Sequence, residues 1–559
     1  MNKRQAVVKT KRFQRSLFGG LLAVSLSACS VTPTAITLDQ KMALVAADRE
    51  AMFSNQEPIS KAIGLEEAMA RAVKYNLQER LALMEKLAEE NVLDLQHFDM
   101  LPKVAANAGW TTRDSESASS SKSVSTGAQS LESSTSQDKS VSTADLSVSW
   151  NILDFGIGYF GSKAQANNIL AAEERRRSVV ADIIQKVRSA YWDAVTAQQL
   201  QPVVKATLQE AYDALEKAKQ TEKERLIAPL DALKYQKSLL EMISRLETLE
   251  GDLSASKARL AALMNLPPAT RYQLVEEKVL PTSLHYSLED LEAMAMVNRP
   301  EINEEAYRAR NVALDTRSAL MRLLPGASLF VGSHYSSNSY LANNDWADAG
   351  VQVSWNLLNV FSYSDIKRLG ETKQSVADLR RQALRMAVLT QVNIAWQQYS
   401  QANNQFERTS ELLRVQNAIL KQTSGAYQNN AQSLVERVRM TTESVLATRS
   451  RDRSFAQMQN AYGAIFQAAG LDPLPEQVAD HSVETLTQAI SAQSRLLDEG
   501  QVADLSSLPA SQLASLNVPV DTNLLRPVVN QVNKNINAQD AWQSLGSLQE
   551  VQMKDYTYQ

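Results

Sequence analysis

Leu146-Ser147-Val148-Ser149-Trp150-Asn151-Ile152-Leu153 is followed 205 positions later by Val351-Gln352-Val353-Ser354-Trp355-Asn356-Leu357-Leu358. In the first stretch Leu146, Val148, Trp150 and Ile152 share one face, and Asp145, Ser147, Ser149 and Asn151 the other. In the second, Val351, Val353, Trp355 and Leu357 oppose Gln352, Ser354 and Asn356. A period of two with one polar face predicts a half-buried strand, and it equally suits a barrel strand with lipid outside and a wet lumen inside. Equivalences continue on either side. Ser189-Ala190-Tyr191-Trp192 corresponds to Asn393-Ile394-Ala395-Trp396, Leu266-Pro267 to Leu471-Asp472-Pro473, and Leu101-Pro102 to Leu324-Pro325. The last offset is longer because the Ser-rich stretch from about 111 to 143 exceeds its counterpart near 333–347. A repeat this long is a duplicated half-molecule rather than a solenoid. It divides the chain into a first unit over 61–270 and a second over 285–475.

Each unit reads alike. A helical pattern, 65–100 or 288–323, ends at Leu-Pro, because proline neither continues a helix nor tolerates helix just before itself. Two strands follow, expected at about 103–112 and 143–153 in the first unit and about 327–337 and 349–358 in the second. The period then changes. Val179, Ile183, Val187, Ala190, Ala194 and Ala197 recur at spacings of three and four, as do Leu384, Val388, Val392, Ala395 and Tyr399. The first long helix, about 161–225, is interrupted only by Pro202; the second has no proline between Pro325 and Pro473. Helices of some 65 residues run to ~100 Å, a length that belongs to coiled bundles. Each turns, near 226–229 and 428–433, into a returning helix. Only 18 glycines and 15 prolines in 559 residues agree with this.

Composition excludes several functions. A net charge of −4 offers no basic footprint for nucleic acid. One cysteine forbids a disulfide framework, and the four scattered histidines form no metal-ligand spacing, so no metal is expected. No acid–base or nucleophile constellation stands out, and the chain reads as a non-enzyme. Gly156-Ile157-Gly158-Tyr159-Phe160-Gly161 has the spacing of a dinucleotide fingerprint. It is rejected: the preceding strand is polar on one face, the following helix is too long for a crossover, and Asn359–Ser364 at the matching place has no glycine. The glycines are expected to ease a sharp strand-to-helix junction. Glu173-Glu174-Arg175-Arg176-Arg177 reads as a solvated helix face.

The N-terminus reads as a targeting segment, 1–28. Six basic residues from Lys3 to Arg15 precede a short apolar stretch, Leu17–Leu26, too short to span a bilayer. Leu26-Ser27-Ala28-Cys29 resembles a bacterial lipobox, so Cys29 is expected to carry a covalent lipid, the only prosthetic group expected. Ser30, in place of an inner-membrane-retaining aspartate, points to the outer membrane. Residues 29–60 read as a lipidated linker. Residues 476–559 are a polar C-terminal extension without an assigned role.

Ser149-Trp150-Asn151-Ile152-Leu153-Asp154-Phe155-Gly156 and Asn298-Arg299-Pro300-Glu301, with the duplication and the lipobox, resemble the outer membrane efflux protein family, the TolC-like exit ducts, in its lipoprotein branch. The resemblance covers about 60–475. It implies a mainly α chain with a small transmembrane β part. Three chains of four strands each would make a 12-stranded barrel, continued by a long α-helical periplasmic tunnel. Four strands cannot close alone, so several chains must share one barrel. The implied function is a passive channel subunit of a tripartite export system, for drug efflux or type I protein secretion. Its partners would be a periplasmic adaptor, an inner-membrane transporter and outer-membrane lipid. A periplasmic coiled-coil structural lipoprotein without a pore is the alternative. Family ducts close their periplasmic tip with acidic residues; here Glu436 keeps one acid, Arg439 replaces another, and Asp231 is the first-unit candidate. These are read equally as a latch or as solvated turn charges. Trp110, Trp150 and Trp355 are read as membrane-interface aromatics or as packing at strand ends. Leu77 stands where a proline matching Pro300 would be, so the first-unit turn is expected to differ.

Overall fold

A computed structural model describes residues 33–130, 132–267, 270–276, 284–429, 431–474, 478 and 480–501. The targeting segment, Cys29 and most of the C-terminal extension lie outside the described residues. Two compact units divide at Pro58. In the first, helix α1 (Leu38–Met52) opens with a capping box between Thr37 and Gln40, and none of its residues is buried.

The second unit holds everything else. Helices α2 (Leu65–Tyr75) and α3 (Leu77–Phe98) lead to strand β1 (Lys103–Thr112). The Ser-rich loop carries a small pair of two-residue strands, β2 (Ala118–Ser119) and β3 (Ser134–Thr135), before β4 (Ser140–Asn151). Helix α4 (Ile152–Lys223) and its return α5 (Pro229–Leu263) complete the first repeat. The second runs α6 (Leu288–Asn298), α7 (Pro300–Met321), β5 (Gly326–Ser336), β6 (Asp345–Ser354), a 3-10 turn (Leu357–Ser362), α8 (Tyr363–Gln428) and α9 (Leu434–Ala468). Helix α10 (Val483–Asp498) follows and packs on α2, giving part of the extension a place. Among the described residues no helix is long and apolar enough to cross a membrane.

Strand-to-helix junctions are set by asparagine. Asn151 Oδ1 accepts from Leu153 N at 2.8 Å, and Asn356 Oδ1 from Leu358 N at 3.2 Å. Side-chain capping starts a helical turn at once. The fourth strand therefore ends at Ser354 rather than near 358, and α4 begins at Ile152, nine residues before the sequence-based start. The glycines of Gly156-x-Gly158-x-x-Gly161 consequently lie inside α4, none with positive φ. They supply space, not backbone freedom: a Cβ on Gly156 would stand 2.4 Å from Met321 Cε, and one on Gly158 3.0 Å from Met100 Cγ. Nor does Pro202 interrupt α4. It removes one backbone donor, and the flanking Leu200 and Val204, buried against α5, hold the helix through it.

Both helix breaks that precede the strands are built alike. Asn76 and Arg299 adopt the same extended conformation, φ −63 ψ 131 and φ −61 ψ 125. Asn76 donates to Leu263 O at 3.0 Å; Arg299 donates to Gln467 O at 3.1 Å, and those carbonyls are themselves 204 positions apart. Leu77 in place of proline changes nothing in the turn, because Asn76 caps α3 through Gln78 N at 2.9 Å.

Along α4 the helical core forms two clusters. Trp192 and Tyr191 pack with Phe455 and Met69; further down, Leu200, Val204 and Leu208 meet Leu239, Leu246 and Val438. Ala194, Ala197 and Ala211 are fully buried, and such small side chains let the long helices approach closely.

Candidate functional site

The four long strands form one antiparallel sheet in the order β1-β4-β5-β6, and β2 pairs only with β3. Its register sorts the residues into two faces. Val104 opposes Val148, which opposes Val331; Trp150 opposes Leu329, which opposes Val351. With Val353 and Trp110 these make one apolar face, and it is uncovered: Val351 is 68% and Val353 66% exposed. The other face carries Lys103, Asn107, Asp145, Ser147, Ser149, His334, Asp348 and Gln352. Strands β1 and β6 are free edges of the described sheet. At ten to twelve residues the strands are long enough for a tilted crossing of a hydrocarbon core.

Trp150 and Trp355 hold equivalent posts. Trp150 Nε1 donates to Met100 O at 3.2 Å and Trp355 Nε1 to Leu323 O at 2.9 Å, each carbonyl two residues before the Leu-Pro proline. Each indole ties the inner end of a strand to the helix that enters its neighbour. Trp110 lies toward the loop end of β1, in register with Ser142, and is largely exposed. At that end the two loops clasp: Asn338 Nδ2 donates to Ser136 O at 3.0 Å and Ser339 Oγ to Asp138 Oδ1 at 3.0 Å.

The run Glu173–Arg177 is a cross-helix ion-pair belt rather than a solvated face. Lys86 reaches Glu173 at 3.2 Å and Arg176 reaches Glu79 at 3.0 Å, joining α3 to α4. Arg175 pairs with Glu304 on α7 at 3.2 Å, and Arg177 with Asp472 at 2.7 Å. Burial pushes the Glu79 carboxyl up, against the pull of Arg176. Periodicity could not show this, since the partners come from α3, α7 and the loop after α9. Arg299 is likewise buried, bonded to Glu301 at 2.9 Å and to Gln391 on α8 at 2.7 Å.

At the far end of the helices, Glu436 and Arg439 meet at 2.8 Å, but within one turn of α9. Asp231 is elsewhere, 3.7 Å from Lys234 on α5. At this end the two hairpins are joined through Arg437, which the sequence does not single out. Arg437 reaches Glu210 on α4 at 3.3 Å and lies 4.6 Å from the centre of the Tyr427 ring at the end of α8. Its signal was only its position in Leu434-Val435-Glu436-Arg437-Val438-Arg439. Leu226, in the turn between α4 and α5, and Leu230 and Leu233, at the start of α5, are exposed. Among the described residues no group of His, Cys, Asp or Glu is arranged to hold a metal ion.

Residues 80–266 match the family model described as outer membrane efflux protein. The fold is shared with solved channels. The Campylobacter jejuni CmeC outer membrane channel aligns at TM-score 0.58 and 14% identity, over 85% of this chain and 98% of that one. The outer membrane protein VceC from Vibrio cholerae aligns at 0.55 and 15%, over 73% and 96%. The open Neisseria gonorrhoeae MtrE outer membrane channel aligns at 0.52 and 16%, over 75% and 96%. At these identities the likeness is one of fold. No curated protein sequence matches the chain.

Proposed function

We propose that this chain, with the fold of outer-membrane channels and a match to the outer membrane efflux protein family, is the passive outer-membrane duct subunit of a tripartite export system. The observation that carries the reading is the sheet. It has an uncovered apolar face, a polar face and two free edges. Water would penalise the first, and lipid would penalise unpaired edges. Both are relieved when copies join edge to edge into a closed barrel, apolar face outward. Three copies give twelve strands, within the known range of closed barrels.

The helices beside the free edges support the same assembly. Helix α3, which leads into β1, exposes Leu81, Met84, Leu95 and Phe98; α8, which follows β6, exposes Leu369, Leu379 and Met386. Few residues of either helix are buried in the single chain: only Glu79 and Ala82 on α3, and six of the 66 on α8. The unmatched rows lie where a neighbouring copy would sit. A coiled-coil spacer without a pore leaves the apolar sheet face unexplained.

The apolar turn and helix start at Leu226, Leu230 and Leu233 suit a periplasmic adaptor, with an inner-membrane transporter beyond it supplying the energy. The clasp of Arg437 on Glu210 and Tyr427 holds the second hairpin against the first and is the proposed tip latch, with Glu436 and Arg439 stiffening the turn that bears it. Acyl chains on Cys29 would anchor the chain in the outer membrane. Either a small molecule or a secreted polypeptide could pass.

Membrane extraction and bilayer conductance test the reading. A detergent-requiring trimer that conducts in planar bilayers is expected. A detergent-free soluble monomer after Cys29→Ala would overturn it. Mass spectrometry of the mature N-terminus checks the lipid on Cys29.

A further inference from the structure

The polar face of the sheet holds one ionisable cluster for which the channel reading has no use. His334 on β5 stands in register with Asp145 on β4 and Trp346 on β6. Its Nδ1 lies 2.7 Å from Asp145 Oδ1 and its Nε2 3.2 Å from Asp348 Oδ1. The Trp346 indole stacks on the imidazole, with ring centroids 5.3 Å apart and planes 19° apart. Gly332 makes the room: a Cβ there would stand 2.6 Å from His334 Nε2 and 2.7 Å from Asp348 Oδ1. The site is therefore shaped from three strands, with an aromatic wall and a glycine floor.

Hydrogen-bonding capacity fixes the protonation state that this geometry needs. A neutral imidazole has one N–H and one lone pair, whereas an ionised carboxylate only accepts. A ring nitrogen facing a carboxylate must donate to be bonded, and here both nitrogens face carboxylates. Only the imidazolium satisfies the two contacts together. No further charge faces the ring from the strands that flank it: β4 contributes Asp145 and β6 Asp348. The nearest cation on that face, Lys103 of β1, is four ladder positions nearer the helices and is paired with Asp154 at 3.5 Å.

We propose that His334 is a titrating selectivity residue of the pore: its imidazolium screens Asp145 and Asp348 from the lumen, and its deprotonation uncovers both carboxylates. The proposal rests on the channel reading above, which makes the polar face the lumen wall. Per chain the cluster carries one net negative charge with the proton and two without it. Around a three-chain barrel the ring doubles its negative charge as pH rises. Ordered charges in a pore wall act on every passing ion within a Debye length, about 8 Å at physiological salt. Cations are then favoured more strongly at high pH, and organic cations additionally meet the Trp346 ring.

The test is the zero-current potential of the full-length channel in planar phospholipid bilayers under a tenfold KCl gradient, from pH 5.5 to 8.5. In the wild type the cation-over-anion permeability ratio should rise about twofold or more across this range. His334→Gln should hold the high ratio at every pH, and Asp145→Asn with Asp348→Asn should stay below the wild type at every pH. Unchanged heat-modifiable trimer bands establish that each variant assembles. A wild-type ratio that is flat, or a pH response that His334→Gln retains, overturns this proposal while leaving the channel intact. A trimer that conducts no ions overturns the channel reading and this proposal with it.

Discussion

Arg299 shows what a single residue does in this fold and how much of that its sequence context reveals. The Asn298-Arg299-Pro300-Glu301 run marks a helix break in the sequence, but not what the guanidinium reaches. In the structure it bonds Glu301, Gln391 and the Gln467 carbonyl from a buried position, joining α7, α8 and α9. Hydrogen bonds to a charged group contribute about 1.5–3 kcal/mol each, although they do not add. Arg299→Ala should therefore destabilise the protein by about 2–4 kcal/mol, read as a lowered midpoint of thermal unfolding. Arg299→Lys should recover only part, since lysine lacks the fork. Two tyrosines predict the alkaline limit. Burial pushes Tyr272 up to about 12 and Tyr191 up as well; Tyr272 donates to Lys257 O at 2.6 Å and Tyr191 to Val275 O at 2.9 Å. An unfolded tyrosine ionises near 10. Above that pH the unfolded chain releases protons that the folded chain keeps, so stability is full below about 10 and falls as pH rises toward 12. Melting temperatures at pH 9, 10.5 and 11.5 should decline in that order. Tyr272→Phe should decline less steeply from a slightly lower start.

Among the elements, the duplication is what the sequence displays most clearly, because alternation and helical spacing occur twice at matching places. Details within one element were harder to read. Asn151 and Asn356 end their strands by capping, a local bond that alternation cannot register, and the glycine run sits inside a helix that overlaps the fingerprint spacing. Two glycines at element ends allow a contrast. Gly156 faces the flexible tip of Met321, which can swing aside. Gly470, after α9, has φ +71, and a Cβ there would stand 2.7 Å from Arg299 N, a backbone atom that cannot. Left-handed backbone costs a non-glycine residue about 1–2 kcal/mol before any clash. Gly470→Ala should cost more than about 2 kcal/mol, whereas Gly156→Ala should fall within about 1 kcal/mol of wild type. Denaturant midpoints of the two variants measured side by side decide it. Equal losses would show that the α9 end can shift away from Arg299.

At the scale of the whole molecule, what the sequence conceals is pairing between distant segments. The Glu173–Arg177 belt and the Arg437 clasp draw their partners from α3, α7 and the loop after α9, and from α4 and α8, and no local pattern encodes such meetings. Assembly, by contrast, leaves a trace at both levels: four strands in the sequence, and in the structure free edges flanked by exposed apolar rows. Those rows give the last prediction. Leu81 and Leu379 are 60% and 64% exposed in the single chain, so a charge there should leave its fold intact. Between copies the same positions would be buried. Burying a leucine contributes about 1.5–3 kcal/mol, and burying an unpaired carboxylate is opposed by more. Leu81→Glu and Leu379→Glu should each abolish the detergent-resistant trimer band while leaving the helical circular dichroism unchanged. Lys237→Glu, an exposed change on α5 outside either row, should leave the trimer in place. If both leucine variants still assemble, the neighbouring copies do not meet along α3 and α8, and the barrel must close through the strand edges alone.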